Sequence, residues 1–253
     1  MLVDGTAGPD GRVVLAIGDP DKAEHTGVYV PGTTAELDKV GGDIERVVNL
    51  WTRAGRHSAG PVSTIVWIGY DAPDAIVADA PRNFYAEEGA PRLRGFVDGL
   101  RVAHGAGQGS LAAFGHSYGS VVVGEAAKGG GLHVDDIVVA GSPGMHVARA
   151  GDLGIGSDHV WAQAANGDPV PELGRPGHGR SLAESWLGGS KRVPSDPEFG
   201  GRILSTDTHG HSDYWNPDTK SLDNQARVLT QTYADADETN DPEILPRLKY
   251  FKN

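Results

Sequence analysis

Apolar residues along this chain alternate between short continuous blocks and stretches where they recur every third or fourth position. The blocks Arg12–Ile17, Gly27–Val30, Thr64–Ile68, Leu111–Phe114, Asp136–Ala140, His159–Ala164 and Gly201–Ser205 predict strands. Several are near-continuous runs of Val, Ile and Ala, the pattern of strands covered on both faces. Helical spacing joins Leu37, Val40, Ile44, Val47 or Val48, and Trp51. The same spacing joins Leu93, Phe96 or Val97, Leu100 and Ala103, and again Leu222, Ala226, Leu229 and Tyr233. Thr33 with Glu36 three residues on suggests a capping box for the first helix. This rhythm predicts an α/β fold, a mostly parallel central sheet with right-handed crossovers and helices on both faces.

Three stretches depart from the rhythm. The first eleven residues, MLVDGTAGPDG, read as a flexible lead-in. Residues 71–92 are rich in Pro, Asp and Ala, and residues 171–200 in Gly, Pro and Ser, with Leu182, Trp186 and Leu187 as apolar exceptions. Both stretches predict long loops, so 71–108 and 171–200 are candidates for a cap or pocket wall, or for plain surface insertions. The tail Ala234–Asn253 is acidic and then basic, as expected of a surface segment. No internal repeat divides the chain, so residues 1–253 are expected to form one domain.

Composition narrows the function. The chain has 253 residues, 38% of them hydrophobic and 22% charged, enough for a sizeable core. Its net charge of −12 argues against a broad nucleic-acid-binding face, which needs clustered Lys and Arg. The absence of Cys removes disulfides, thiolate metal sites and a thiol nucleophile. No apolar run approaches the ~18 residues of a membrane span. Met1–Arg12 lacks the basic and apolar regions of a signal peptide, which favours a cytoplasmic location unless a longer precursor exists.

One motif carries chemistry. Gly115-His116-Ser117-Tyr118-Gly119 fits the G-x-S-x-G nucleophile elbow. There a serine occupies a tight strand-to-helix turn with its hydroxyl pushed outward. Residues two before and two after it come too close for side chains. The following helix aims its N-terminus at the reacting centre and favours developing negative charge. The bare pattern is weak in a chain with 37 Gly. Context strengthens it, because a predicted strand runs into it and Ser120-Val121-Val122-Val123 can open a buried helix. Gly105-Ala106-Gly107-Gln108-Gly109 precedes a strand instead of joining strand to helix, so it does not read as a nucleotide loop. Asp43, Glu45, Glu87 and Glu88 read as solvated helix charges, leaving a paired-carboxylate glycosidase unsupported.

With these residues in view the chain resembles an α/β-hydrolase. Within that superfamily it is similar to an actinobacterial hydrolase-domain family of unassigned function. Tyr29-Val30-Pro31-Gly32-Thr33, Gly69-Tyr70-Asp71-Ala72-Pro73, Gly115 to Ser120, Gly141-Ser142-Pro143-Gly144, Asn166-Gly167-Asp168-Pro169-Val170 and His211-Ser212-Asp213-Tyr214 carry the likeness, across residues 12–230. The superfamily orders its triad as Ser, then Asp or Glu, then His. Carried over, Ser117 is the expected nucleophile. Asp168, in an Asn-Gly-Asp-Pro turn after a strand, is the expected acid, with Asp207 as rival. His211, in the loop before the last helix, is the expected base, with His209 as rival. A metal site built on His209, His211 and Asp213 is disfavoured by the lack of helical register. His116 either lines the pocket or packs beneath it. The oxyanion hole is expected from the backbone N–H groups of Tyr118 and of Thr33 or Thr34.

The expected function is a serine hydrolase cleaving a small carboxylic ester through an acyl-enzyme, with no cofactor and no metal. An acyltransferase with the same triad is the alternative, for which a dry pocket near Trp186 and Trp215 would be needed. A catalytically idle binding module is the third reading.

Overall fold

The computed structural model describes residues 2–4, 11–33, 40–73, 83–104, 109–180 and 191–239. Thr34, Glu36, residues 105–108 of the glycine run, and Leu182, Trp186 and Leu187 lie outside the described residues. Among the described residues eight strands form one sheet: β1 Leu2–Asp4, β2 Arg12–Ile17, β3 His25–Val30, β4 Val62–Ile68, β5 Ser110–His116, β6 Asp136–Ala140, β7 Val160–Gln163 and β8 Arg202–Ile203. Their order across the sheet is β1-β2-β4-β3-β5-β6-β7-β8. β1 and β2 pair antiparallel, as do β2 and β4, and every later pairing is parallel. The predicted mostly parallel sheet is therefore present.

The residue types explain the burial. All residues of β4 and β6 and all but the first of β3 and β5 are buried. That suits Val, Ile and Ala side chains, which pack on both faces of a pleated strand. The helices are α1 Gly41–Ala54, α2 Phe84–His104, α3 Gly119–Ala127, α4 Val170–His178 and α5 Lys220–Leu229. α1 packs on α5 and α2 on α3, with the sheet between the two pairs. Val47, Leu50 and Ala54 of α1 and Leu93, Val97 and Leu100 of α2 face inward, the spacing of one helical stripe.

The structure corrects four expectations. The lead-in is not uniformly irregular, because Leu2–Asp4 forms β1, whose backbone bonds to β2 in the register Val3 to Val13. α2 begins at Phe84, so the helix expected from Leu93 reaches back into 71–92, and α4 fills the first part of 171–200, both of which read as loop. Pro171 falls in the first turn of α4, where a missing N–H costs no helical bond. α1 begins at Gly41 with Val40 before it, so Thr33 does not cap it. Asp43 is not a solvated charge: it is buried and accepts from Tyr29 Oη at 3.1 Å and Arg46 Nη1 at 2.7 Å. The described part of the surface tail docks beside β8, where Thr239 N donates to Ile203 O at 2.8 Å.

Candidate functional site

The parallel strands end together on one edge of the sheet, where crossover loops of an open α/β sheet gather side chains. β5 ends at His116, and α3 begins at Gly119. Between them Ser117 adopts φ +54°, left-handed for a residue that has a Cβ. Ser117 N donates to Ala140 O at 3.0 Å, Ser120 N donates to Ser117 O at 3.0 Å, and Ser120 Oγ reaches the same carbonyl at 2.6 Å. These bonds hold the strained turn from both sides. Gly119 is required here: a Cβ on it would lie 2.1 Å from Val30 O. The turn after β3 closes on the serine, since a Cβ on Gly32 would lie 3.1 Å from Ser117 Oγ. Tyr70 Oη pins that turn by donating to Pro31 O at 2.7 Å.

Asp168 lies beyond β7 and is wholly buried. His211 lies beyond β8 and is partly buried, with its Nδ1 3.0 Å from Asp168 Oδ1 and 2.9 Å from Oδ2. The structure thus brings the expected acid and base into hydrogen-bond contact across 43 residues of sequence. The two loops are joined again where Gly210 N donates to Asn166 O at 3.0 Å. Gly141, after β6, lets the pair approach. A Cβ there would lie 2.6 Å from Asp168 Oδ2 and 2.9 Å from His211 Nδ1, and its φ of +59° itself favours glycine.

The other expected residues fall as follows. His211 Nε2 is buried and makes no hydrogen bond to Ser117 or to any other described residue. Such nucleophile–base bonds often form only with substrate present. Ser117 itself is 4% exposed. His209 is exposed and its backbone bridges Asn166, so its ring does not take the place beside Asp168. Asp207 accepts from Ser221 N at 3.3 Å at the start of α5, away from the imidazole. Thr33 is partly buried in the turn beside Ser117, and Tyr118 stands at the head of α3. Among the described residues no group of three His, Asp or Glu has metal-holding geometry.

Three further side chains pack around the acid–base pair, of which His116 and Trp215 were expected either at the pocket or beneath it. His116 stacks on His211 with ring centroids 4.8 Å apart, and its Nε2 donates to His211 O at 2.8 Å. Burial first, then the neighbouring His211 and Arg46, hold its pKa well below the ordinary range, so it is neutral. Trp215 packs edge-on against His116 and Tyr29 as part of the core. Tyr214 Oη donates to Asp168 Oδ2 at 2.6 Å. The signal for Tyr214 is its position three residues after His211, within the same turn.

The chain matches a model of the alpha/beta hydrolase family over residues 7–176. An uncharacterized protein of Mycobacterium tuberculosis is 32% identical over 250 residues, covering 88% of this chain and 37% of the relative. The chain thus spans little more than a third of the length of that relative. An uncharacterized protein of Mycobacterium bovis is 34% identical over 189 residues, covering 69% of this chain and 70% of the relative. Among solved structures, esterase PE8 superposes with a TM-score of 0.51 at 15% identity, covering 87% of this chain and 98% of that one, a likeness of fold. On the family match, and on the sheet and loop arrangement described above, this chain belongs to the α/β-hydrolase family.

Proposed function

We propose that this chain hydrolyses a small carboxylic ester through a Ser117, His211 and Asp168 triad. The observation that carries the reading is the convergence of a left-handed Ser117 and a hydrogen-bonded Asp168–His211 pair on one edge of the sheet, with His211 Nε2 left without a partner among the described residues. In this reading Nε2 takes the Ser117 hydroxyl proton as Oγ attacks the acyl carbon. The N–H groups of Tyr118 and Thr33 donate to the tetrahedral oxyanion. His211 then returns the proton to the leaving alcohol oxygen, and the acyl group stays on Ser117. Water gives a proton to His211 and attacks the acyl-enzyme, and the same proton goes back to Ser117 as the acid leaves. Asp168 holds the imidazole tautomer with Nε2 unprotonated and stabilises the imidazolium. A strained serine held by the Ala140 carbonyl and the Ser120 hydroxyl costs stability that a binding module has no use for.

The test is hydrolysis of p-nitrophenyl esters of graded chain length. Ser117→Ala is expected to lower kcat by at least ~10⁴-fold. A variant retaining a tenth of wild-type turnover contradicts the mechanism. Product analysis with a competing alcohol separates hydrolysis from acyl transfer.

A further inference from the structure

This inference rests on the hydrolytic reading. We propose that Tyr214 is a positioning residue for the acid–base pair: its phenol, anchored on the acid loop, holds the Asp168 carboxylate and tunes the base through it. Tyr214 is wholly buried in the turn Asp213–Trp215. Its Oη accepts from Ala165 N at 2.8 Å and donates to Asp168 Oδ2 at 2.6 Å. Its carbonyl accepts from Gln225 Nε2 of α5 at 3.0 Å. Through its phenol and its backbone carbonyl, one residue therefore links the loop after β7, the loop after β8 and α5.

The carboxylate shows why this matters. Oδ1 accepts from Val170 N at 2.9 Å, within the turn that carries the acid. That bond fixes one oxygen only. The Tyr214 phenol fixes the other from a separate element, so the carboxylate plane facing His211 Nδ1 is set at two points. Burial first, then the charge of Asp168, push the phenol's pKa well above its ordinary value, so the group stays protonated and donates. Donation draws charge away from the carboxylate. Without it Asp168 presents more charge to Nδ1, the imidazolium is stabilised, and the base is held protonated to higher pH.

The other ionisable groups around His211 are His116 from β5, Asp213 and His209 from its own loop, and the Asp43–Arg46 pair of α1 with Tyr29 of β3 behind Trp215. Of these, His116 meets the Tyr214 ring itself, centroids 6.1 Å apart, a ring contact that Tyr214→Phe and the fluorinated residue both keep.

Two variants form the test: Tyr214→Phe, and replacement of Tyr214 by 3-fluorotyrosine, a stronger donor of nearly the same size. kcat and kcat/KM are followed against pH on p-nitrophenyl acetate. In Tyr214→Phe the acid limb is expected to move up by about 0.5–1 pH unit and kcat to fall about 3- to 30-fold, with KM within about two-fold. In the fluorinated protein the limb is expected to move down. A role in packing alone would lower the melting temperature and leave both limbs in place, which would overturn the proposal. If the Phe variant does not fold, the fluorinated protein decides, its shift supporting the proposal and an unmoved limb defeating it. The midpoint of the His211 imidazole titration, read by NMR, repeats the test without turnover. A wild type that neither turns over esters nor labels at Ser117, yet shows the NMR shifts, would sink the hydrolytic reading and leave the Tyr214 assignment standing.

Discussion

A left-handed backbone on a residue with a Cβ costs about 1–2 kcal/mol, so the φ of +54° at Ser117 must be held by its surroundings. The Ala140 carbonyl on one side and the Ser120 amide and hydroxyl on the other do so. Gly141 illustrates the same tightness next door. Gly141→Ala would force a methyl to 2.6 Å from Asp168 Oδ2 and strain a φ of +59°. It is expected to destabilise the fold by about 1–3 kcal/mol and to lower kcat by about 100-fold or more, because a misplacement near 1 Å is enough for that. Denaturant titration and steady-state kinetics check it, and unchanged kcat would contradict the packing described. At this scale the sequence was partly legible. Ser117 stands out because its motif states a backbone requirement, and the superfamily's chain order points to Asp168 or Asp207 and to His211 or His209. Spacing alone leaves His209 beside His211, since two residues apart in one loop look alike until one ring meets a carboxylate. Tyr214 stands in the motif His211-Ser212-Asp213-Tyr214, but its bond to Asp168 was not legible, because it spans 46 residues and depends on the approach of two loops.

Elements were legible where burial is two-sided. β3 to β7 announce themselves because continuous Val, Ile and Ala runs need cover on both faces. β1, three residues ending at Asp4, has too few positions to show alternation. α4 is obscured by Pro171, Gly174, Pro176 and Gly177, which lower helix propensity. Tertiary contacts hold it instead. Arg175 is paired with Glu172, within the helix, and with Asp196, beyond the stretch 181–190, and Nη1 also donates to Lys191 O at 2.8 Å. Gly174 lies against Pro143, in the loop after β6. Arg175→Met leaves two partly buried carboxylates without their cation. It is expected to cost about 1–3 kcal/mol in urea unfolding, more than an exposed pair would. A loss below about 0.5 kcal/mol would show that α4 stands without that pairing.

The whole molecule carries a pH dependence set by buried imidazoles. His146 is buried at φ +57°, with Nδ1 3.1 Å from Glu125 Oε2 and Nε2 3.0 Å from His178 Nδ1. Burial first, then Arg180 and Lys128, lower its pKa to about 4. His116 is shifted in the same direction. Between the unfolded value near ~6.5 and about 4 the unfolded chain therefore binds more protons than the folded one. Stability is complete above that window and falls as pH drops through it, by on the order of 2–3 kcal/mol from His146 alone. His146→Asn keeps a residue tolerant of the left-handed region and removes the titration. Its unfolding free energy is expected to change less between pH 6.5 and 4 than that of the wild type. Equal acid slopes in the two proteins would assign the loss to other groups.

The account turns on Ser117 as an activated nucleophile, and covalent capture tests it most directly. The wild-type chain is treated with a fluorophosphonate, digested, and the adduct mapped by mass spectrometry. The account predicts one adduct, on Ser117, formed at a rate that falls at least ~100-fold in His211→Ala. An unmodified Ser117, or a rate indifferent to His211, would contradict it.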